Sequence, residues 1–330
     1  MYNTLSRRDF LRIGAMSTAA LGLTACVTGT KAEESEEQVK PFKMKFTPRL
    51  GMNFFKTSAG KDPLKRMRFF KDNGFTAIEG AVWISHKPLT DKDKELQSAI
   101  CALAKELNLE MGCLSSMNEK DFPTMSANQV PNKEKVIRDK SAIRDFLTWQ
   151  MDNTFDILKR VGAKTFIIGA GTVDKELSWH KQYDNVVENM AFCAAYCQKN
   201  GFLMEIEPLN TKSHPNIFVD RAELGARICQ DVDNPHCKIL YDLFHEQMQL
   251  GNVDSLDNPM VWDSIESFHV ADTPDRNEPG SGNMPYMQIF KKIWDKGYRG
   301  FIGLEHGQSV QSAEVDARIL ATYRSFDAQV

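Results

Sequence analysis

The amino-acid sequence predicts an α/β protein built as a closed (β/α)8 barrel. Strand-like and helix-like segments alternate with a period of roughly 30 residues along most of the chain, as repeated βα units do. Several helix-like segments end in Asn-Gly or Lys-Gly, which is a helix stop signal, and the next strand-like segment follows directly. The strand-like segments number eight, which favours a closed barrel over an open sheet.

Each strand candidate is a short apolar run, and each helix candidate carries its apolar residues on one face. Strands are predicted at residues 49–54, 77–79, 110–115, 165–169, 202–207, 238–242, 267–270 and 301–305. Amphipathic helices between them are predicted, for example, at residues 62–73, 91–107, 141–161, 181–199, 221–230 and 286–296.

The first 26 residues are predicted to be an export signal. Arg7 and Arg8 form a twin-arginine pattern, and the apolar stretch 13–23 is too short and too rich in small residues for a membrane span. The following Leu-Thr-Ala-Cys resembles a bacterial lipobox, in which Cys26 becomes the lipidated N-terminus. The acidic segment 27–40 has no aromatic residue, so a flexible tether is predicted over 27–44, and the barrel is expected over 45–330.

These signals predict a lipoprotein exported by the twin-arginine route and held at the membrane, in the periplasm or at the cell surface. Contact with the membrane is expected through the N-terminal lipid alone. Proteins exported by this route usually fold first, under reducing conditions. The six cysteines after Cys26, which lie in apolar segments, are therefore expected to be buried thiols and not disulfides.

Composition limits the classes of partner. Hydrophobic residues make up 42% of the chain and charged residues 26%, as in an ordinary soluble enzyme. The formal net charge is −3, and no basic patch with interleaved aromatic residues is present in the sequence. Nucleic acid is therefore excluded as an expected partner, and a small molecule is favoured. The oligomeric state is left open, and a homo-oligomer is compatible with the sequence.

Four apolar runs in the second half of the chain end on residue types that bind metals. They end on Glu207, Asp242, His269 and Glu305. In a parallel barrel the carboxyl ends of the strands converge on one face, so these side chains are expected to meet. Three carboxylates and one imidazole suit one divalent ion such as Mn²⁺, Mg²⁺, Co²⁺ or Zn²⁺. The sequence therefore predicts a metal enzyme.

The same segments resemble the xylose-isomerase-like TIM barrels, and most closely the hydroxypyruvate-isomerase-like branch beside the ketose 3-epimerases. The resemblance covers essentially the whole chain after the tether, with its specific motifs confined to residues 202–305. The matching motifs are IEPLN at 206–210, DLFH at 242–245, HVADTPDRNEPGSG at 269–282 and GYRGFIGLE at 297–305.

The resemblance implies roles for individual residues. Glu207, Asp242, His269 and Glu305 would hold one divalent metal ion, and the two glutamates would also act as an acid–base pair on opposite faces of the substrate. Two further positions, His245 and Arg276, resemble substrate-contact residues. One position departs from the pattern: bacterial hydroxypyruvate isomerases tend to carry Gln where this chain has His269, whereas the 3-epimerases carry His. This departure weakens the transfer of hydroxypyruvate as the substrate.

The expected activity is isomerisation or epimerisation of a sugar or short hydroxy-keto acid outside the cytoplasm. Such a reaction begins with removal of a proton next to a carbonyl, and a bound metal stabilises the resulting enediolate. The same site could instead drive β-elimination or hydrolysis of a 3-keto-glycoside. A different class is a lipid-anchored sugar-binding protein without turnover, which would not need two carboxylates at the reacting carbons. An endonuclease is disfavoured by the negative charge and by a total of only seven histidines.

Some residues keep two interpretations at this stage. Arg276 could orient a substrate, or it could form a surface ion pair with a neighbouring acid: Asp272, Asp275 or Glu278. His245 could contact substrate or act as a satisfied capping group. Glu205 shares the inward face with Glu207 and would need a Lys or Arg partner there. Glu205 could also be the true ligand if the predicted register is off by one pair.

Overall fold

The structure is a computed structural model that describes residues 39–80, 89–114, 124–130 and 137–330. Within this part of the chain, Pro41–Val330 forms one compact unit. The predicted signal peptide with Cys26 lies outside the described residues, as does most of the predicted tether. No helix in the described ranges is both long and apolar enough to cross a membrane.

Ten strands lie in the described residues, and eight of them are parallel strands that form the inner layer of the fold. The strands are β1 (Lys45–Pro48), β2 (Ala77–Ile78), β3 (Glu110–Met111), β4 (Gln129–Val130), β5 (Ile137–Arg138), β6 (Thr165–Ile168), β7 (Leu203–Ile206), β8 (Cys237–Asp242), β9 (Ile265–Val270) and β10 (Phe301–Leu304).

Eight of these strands close into a ring. Six form a continuous parallel sheet in the order β1-β10-β9-β8-β7-β6, and β2 pairs in parallel with β3. Single parallel bridges join this pair to the sheet on both sides, one between Arg49 and Glu79 and one between Leu114 and Phe166. The two remaining strands, β4 and β5, lie between β3 and β6 in the sequence and form a separate antiparallel pair. The predicted (β/α)8 barrel is therefore confirmed.

Helices cover the outside of the ring. They are α1 (Lys56–Ala59), α2 (Pro63–Asp72), α3 (Asp91–Glu106), α4 (Thr124–Ala127), α5 (Lys140–Val161), α6 (Trp179–Asn200), α7 (Ala222–Val232), α8 (Leu243–Leu250), α9 (Pro259–Ser264), α10 (Tyr286–Asp295), α11 (Ala313–Asp327) and a 3-10 helix (Asp254–Asp257). Each predicted helix lies within two residues of an observed helix at both ends.

The helix boundaries agree because the sequence contains explicit start and stop residues. α3 begins with a capping box between Thr90 and Asp93. α5 and α6 end at Gly162 and Gly201, which adopt the left-handed conformation that glycine permits without strain.

The first strand was predicted at the wrong place. The prediction was 49–54, whereas β1 is Lys45–Pro48. Leu50, Phe54 and Phe55 are buried, but they pack in the loop and first helical turn after β1. Their apolar character therefore reflects burial of a loop and not a strand.

The chain also packs on the barrel slightly before the predicted boundary at residue 45. Phe42 and Met44 are 5% and 3% exposed. The backbone N–H groups of Lys43 and Met44 donate to the carboxylate of Asp327, at 3.0 and 2.8 Å. Asp327 is the last residue of α11, so the first strand and the last helix are fastened together.

Candidate metal centre

Four strand ends bring the four predicted ligands together. Asp242 and His269 lie in β8 and β9, while Glu207 and Glu305 directly follow β7 and β10. One ligand atom from each residue lies within 4.8 Å of the corresponding atom of every other. Strand register explains the convergence, since Asp242 pairs with His269 across β8 and β9.

Asp242 presents a single oxygen to this cluster. Its Oδ1 accepts hydrogen bonds from the backbone N–H groups of Phe244, at 2.8 Å, and His245, at 3.4 Å, and thereby caps α8. Its Oδ2 lies 3.0 Å from Arg276 Nη2 and 3.6 Å from His245 Nε2. The same residue therefore ends a strand, starts a helix and contributes to the site.

His269 is buried in the cluster, with 1% of its surface exposed. Its Nδ1 is 2.9 Å from Glu305 Oε2 and 3.8 Å from Glu207 Oε1. Burial works against the charged imidazole, but the nearby carboxylates, led by Glu79, raise the pKa of His269 to about 9. Among the described residues, neither ring nitrogen of His269 finds a hydrogen-bond partner.

The arrangement fits a divalent cation. A buried imidazole nitrogen without a hydrogen bond faces two carboxylates, and a third carboxylate completes the group. Three oxygen donors and one nitrogen donor suit Mn²⁺, Mg²⁺, Co²⁺ or Zn²⁺, and they do not discriminate among these ions.

The two glutamates differ from the other two ligands in exposure. The side chains of Glu207 and Glu305 are 12% and 21% exposed, whereas those of Asp242 and His269 are 1% exposed. Burial disfavours the ionised form of Glu207, but neighbouring His269, His245 and Arg276 lower its pKa to about 2. Two carboxylates therefore line the accessible side of the cluster.

Arg276 points into the cluster. Its Nη2 lies 3.0 Å from Asp242 Oδ2 and 2.9 Å from Glu305 Oε2. The alternative of a surface ion pair with Asp272, Asp275 or Glu278 is therefore wrong. Arg276 has a left-handed backbone (φ 56°), which is rare outside glycine and concentrates at ligand-binding positions.

His245 has partners on both ring nitrogens. Asn210 donates its backbone N–H to Nδ1 at 3.2 Å, and its side-chain nitrogen lies 2.7 Å from the same atom. Nε2 lies 3.6 Å from Asp242 Oδ2. Burial lowers the pKa of His245 to about 4, so this imidazole is neutral at pH 7. It lies beside the predicted metal ligands as a neutral group that can donate from Nε2.

Glu205 lies outside the ligand cluster. It is fully buried in the barrel interior, and its Oε2 accepts a hydrogen bond from Ser267. The prediction of a Lys or Arg partner for Glu205 is wrong, because the group that contacts its carboxylate is the hydroxyl of Ser267. Burial raises the pKa of Glu205 to about 7. The group that could hold a metal ion contains Glu207 and not Glu205, so the predicted register is kept and the alternative with Glu205 as ligand is wrong.

Two charged residues of the site were missed by sequence reasoning. Arg49 Nη1 forms an ion pair with Glu305 Oε1, and Arg49 Nε lies 3.4 Å from Glu79 Oε1. Glu79 is 1% exposed, and its Oε1 lies 3.1 Å from His269 Nε2. A signal was present, because Glu79 ends a predicted strand as the four predicted ligands do.

Comparison with known proteins gives three findings. A family model described as xylose isomerase-like TIM barrel matches residues 67–323. Hydroxypyruvate isomerase from Escherichia coli is 29% identical over 199 residues, covering 59% of this chain and 71% of that protein. The 2-oxo-tetronate isomerase from Cupriavidus necator is 29% identical over 147 residues, covering 44% of this chain and 56% of its own length.

A solved structure shares the fold. The 3-keto-D-glucoside 4-epimerase from Escherichia coli superposes with a TM-score of 0.64 at 19% identity, covering 86% of this chain and 100% of that one. The superposition shows that the two chains share the barrel fold.

Proposed function

This chain belongs to the xylose isomerase-like TIM barrel family, and on that premise we propose that it is a metal-dependent isomerase or epimerase. Its substrate is a short hydroxy-keto acid or a sugar, and the reaction proceeds by proton abstraction next to a carbonyl. The observation that carries the proposal is the pair of accessible glutamates, Glu207 and Glu305, beside the buried Asp242 and His269.

Glu207, Asp242, His269 and Glu305 would hold the metal ion. When bound there, a divalent ion supplies Lewis-acid stabilisation of the negative charge that develops on the substrate oxygens.

The two glutamates transfer the proton. A carbon acid next to a carbonyl needs a base that is ionised at neutral pH, and the environment of Glu207 keeps that carboxylate ionised. Glu207 takes the proton, and Glu305 returns one to the neighbouring carbon or to the opposite face. General acid–base catalysis of this kind contributes about 10²- to 10⁴-fold in rate.

Arg276 and His245 orient the substrate. The guanidinium of Arg276 is 30% exposed and can offer further N–H groups to a hydroxyl or carboxylate oxygen while Nη2 remains on Asp242 and Glu305. The neutral imidazole of His245 can donate a hydrogen bond to a second oxygen. Both substrates named for the two sequence relatives are hydroxylated 2-oxo acids, and such acids present these oxygens.

A panel of substrates tests the proposal. Purified protein would be analysed for metal content and then assayed with hydroxypyruvate, 2-oxo-tetronate, ketoses and 3-keto-glucosides before and after chelation. We expect one equivalent of metal and isomerised or epimerised product from one substrate class. Elimination or hydrolysis of a 3-keto-glucoside would replace the proposed reaction with the lyase alternative. Metal binding without turnover of any member would favour a sugar-binding lipoprotein.

We also propose that the protein is exported by the twin-arginine route and anchored through lipidated Cys26. The twin-arginine pair and the lipobox in the sequence support this proposal. Cys26→Ala should abolish incorporation of a labelled fatty acid and release the protein from the membrane fraction. Unchanged labelling in that variant would contradict the anchor.

A further inference from the structure

We propose that Glu79 is a positioning residue that makes His269 bind the metal through Nδ1. Glu79 itself does not touch the metal or the substrate. The inference rests on the metal centre of the proposed function.

Glu79 is held from several sides in the barrel interior. Its Oε2 accepts a hydrogen bond from Thr47 Oγ1 at 2.9 Å, and its Oε1 lies 3.4 Å from Arg49 Nε and 3.1 Å from His269 Nε2. In the described part of the chain, neither Glu79 Oε1 nor His269 Nε2 meets hydrogen-bond geometry with any group, so the 3.1 Å contact between them is an ion-pair contact in the barrel interior. Glu79 Oε1 therefore faces both His269 Nε2, its nearer neighbour, and Arg49 Nε.

A carboxylate favours a proton on the ring nitrogen that faces it, and both nitrogens of His269 face carboxylates. A cation bound among Glu207, Asp242 and Glu305 would replace the proton on Nδ1 and leave the one on Nε2. With the proton on Nε2, the lone pair of a neutral His269 lies on Nδ1. That nitrogen faces Glu207 and Glu305. A carboxylate behind a metal-binding histidine fixes the tautomer and the ring orientation and raises the basicity of the ligand nitrogen.

Gly303 gives independent support for this pairing. A Cβ atom at this position of β10 would lie 2.5 Å from Glu79 Oε2 and 2.5 Å from His269 Cδ2. No side chain larger than hydrogen fits without pushing the two groups away. The close approach of Glu79 and His269 therefore depends on the absence of a side chain at Gly303.

The first test is metal affinity of the full chain, measured by Zn²⁺ competition with a chromophoric chelator. Glu79→Gln should weaken Zn²⁺ binding by about 10- to 100-fold, the range typical for loss of a carboxylate behind a ligand. Gly303→Ala should also weaken Zn²⁺ binding. Glu110→Gln is the matched control, because Glu110 is 58% exposed at the start of β3 and should bind as the wild type does.

The second test reads the nitrogen directly and needs no variant. In ¹⁵N-histidine-labelled wild-type protein loaded with Zn²⁺, His269 should show a metal-bound Nδ1 and a protonated Nε2. A metal-bound Nε2, or unchanged affinity in Glu79→Gln, would overturn the proposal. A Zn²⁺-bound Nδ1 without turnover of any substrate would contradict only the proposed function. No Zn²⁺ binding by the wild type would overturn both.

A separate observation concerns two thiols at the other end of β8. We infer that Cys229 and Cys237 form a disulfide when the folded protein meets a disulfide oxidant. The six cysteines of the described chain are free thiols, and the Sγ atoms of Cys229 and Cys237 lie only 3.7 Å apart. Both residues are buried, and both line an open cavity of about 420 Å³.

The chemistry is ordinary thiol–disulfide exchange. One cysteine, as its thiolate, attacks a small-molecule disulfide such as oxidised glutathione, forming a mixed disulfide and releasing one thiol. The second cysteine attacks the mixed disulfide and releases the other thiol. The protein loses two protons and two electrons in total, and the disulfide reagent gains them as it becomes two thiols.

Incubation of the folded protein with oxidised glutathione tests this inference. Thiol titration after denaturation should show a loss of two thiols, and peptide mapping should find a single Cys229–Cys237 link. Cys229→Ser should abolish the link, whereas Cys101→Ser should leave it intact. A stable glutathione adduct, a link between other cysteines, or no loss of thiols would each overturn the inference.

Discussion

Arg276 has an unusual backbone conformation and lies beside the predicted metal ligands. Its left-handed backbone is held by a hydrogen bond from its own N–H to Asp272 O at 2.9 Å and by one from Gly307 N–H to its carbonyl oxygen at 2.7 Å. Its guanidinium bridges Asp242 and Glu305. The surrounding contacts thus maintain a conformation that costs an ordinary residue about 1–3 kcal/mol.

Replacing Arg276 should therefore impair the reaction more than the fold. Arg276→Ala should lower kcat/KM by about 10- to 100-fold, since a hydrogen bond to a charged group contributes about 1.5–3 kcal/mol. Steady-state kinetics on the identified substrate measure the change. Arg68→Ala, at an exposed guanidinium of α2, is the control and should keep wild-type kinetics. Equal kinetics for Arg276→Ala and the control would remove Arg276 from the site.

Residues of the site could be predicted from the sequence only where they end a strand-like apolar run. Glu207, Asp242, His269 and Glu305 each end an apolar run, and the structure brings them together. Arg49 was placed inside a strand candidate whose register was wrong, so its contact with Glu305 could not be foreseen. Pairings between distant strand ends depend on barrel closure, which a linear pattern does not contain.

At the scale of elements, one buried carboxylate organises the loop between β9 and α10. Asp272 is 1% exposed and accepts four backbone hydrogen bonds, at 2.8–3.0 Å. The donors are Thr273, Gly280, Gly282 and Met284. This loop carries Arg276, so the position of the guanidinium depends on the loop.

Asp272→Asn should loosen this loop. The amide keeps the shape but loses the negative charge that strengthens all four hydrogen bonds, and about 1–3 kcal/mol of stability should be lost. Hydrogen exchange by mass spectrometry should show faster exchange across residues 273–284. Asp275→Asn, at an exposed position of the same loop, should exchange as the wild type does. Unchanged exchange in Asp272→Asn would refute the anchoring role.

Elements with explicit end signals were predicted well, and elements without them were not. Capping residues and terminal glycines marked the helices to within two residues. The strands β2 and β3 are only two residues long, and β1 was placed four residues too late. Short buried strands and buried loops share an apolar composition, so the pattern alone cannot separate them.

On the scale of the whole molecule, the two ends of the barrel chain are fastened through Asp327. Its carboxylate accepts backbone hydrogen bonds from Lys43 and Met44, which precede β1. Asp327→Ala leaves these donors without their partner and should destabilise the fold by about 1–3 kcal/mol in urea unfolding. Asp295→Ala, where the side chain is 55% exposed, should cost much less. Equal stability of the two variants would show that this fastening contributes nothing.

A metal ion would join four adjacent strands, β7 to β10, and should stabilise the whole barrel. At a free concentration of about 100 times Kd, a ligand that binds only the folded state adds about 2.7 kcal/mol. Zn²⁺ should therefore raise the Tm by several degrees, and chelation should reverse the shift. Asp242→Asn, which weakens one ligand, should reduce the shift. An equal shift in that variant would mean that Zn²⁺ binds elsewhere.

The most direct test of the account is exchange of the α-proton of the substrate in D₂O, followed by NMR. Metal-loaded wild-type protein should incorporate deuterium next to the carbonyl, and the rate should fall by about 10²-fold or more in both Glu207→Gln and Glu305→Gln. Each variant should remain folded, because both carboxylates lie on the accessible side of the cluster. Wild-type exchange that persists in both variants would contradict the assignment of these glutamates as the acid–base pair.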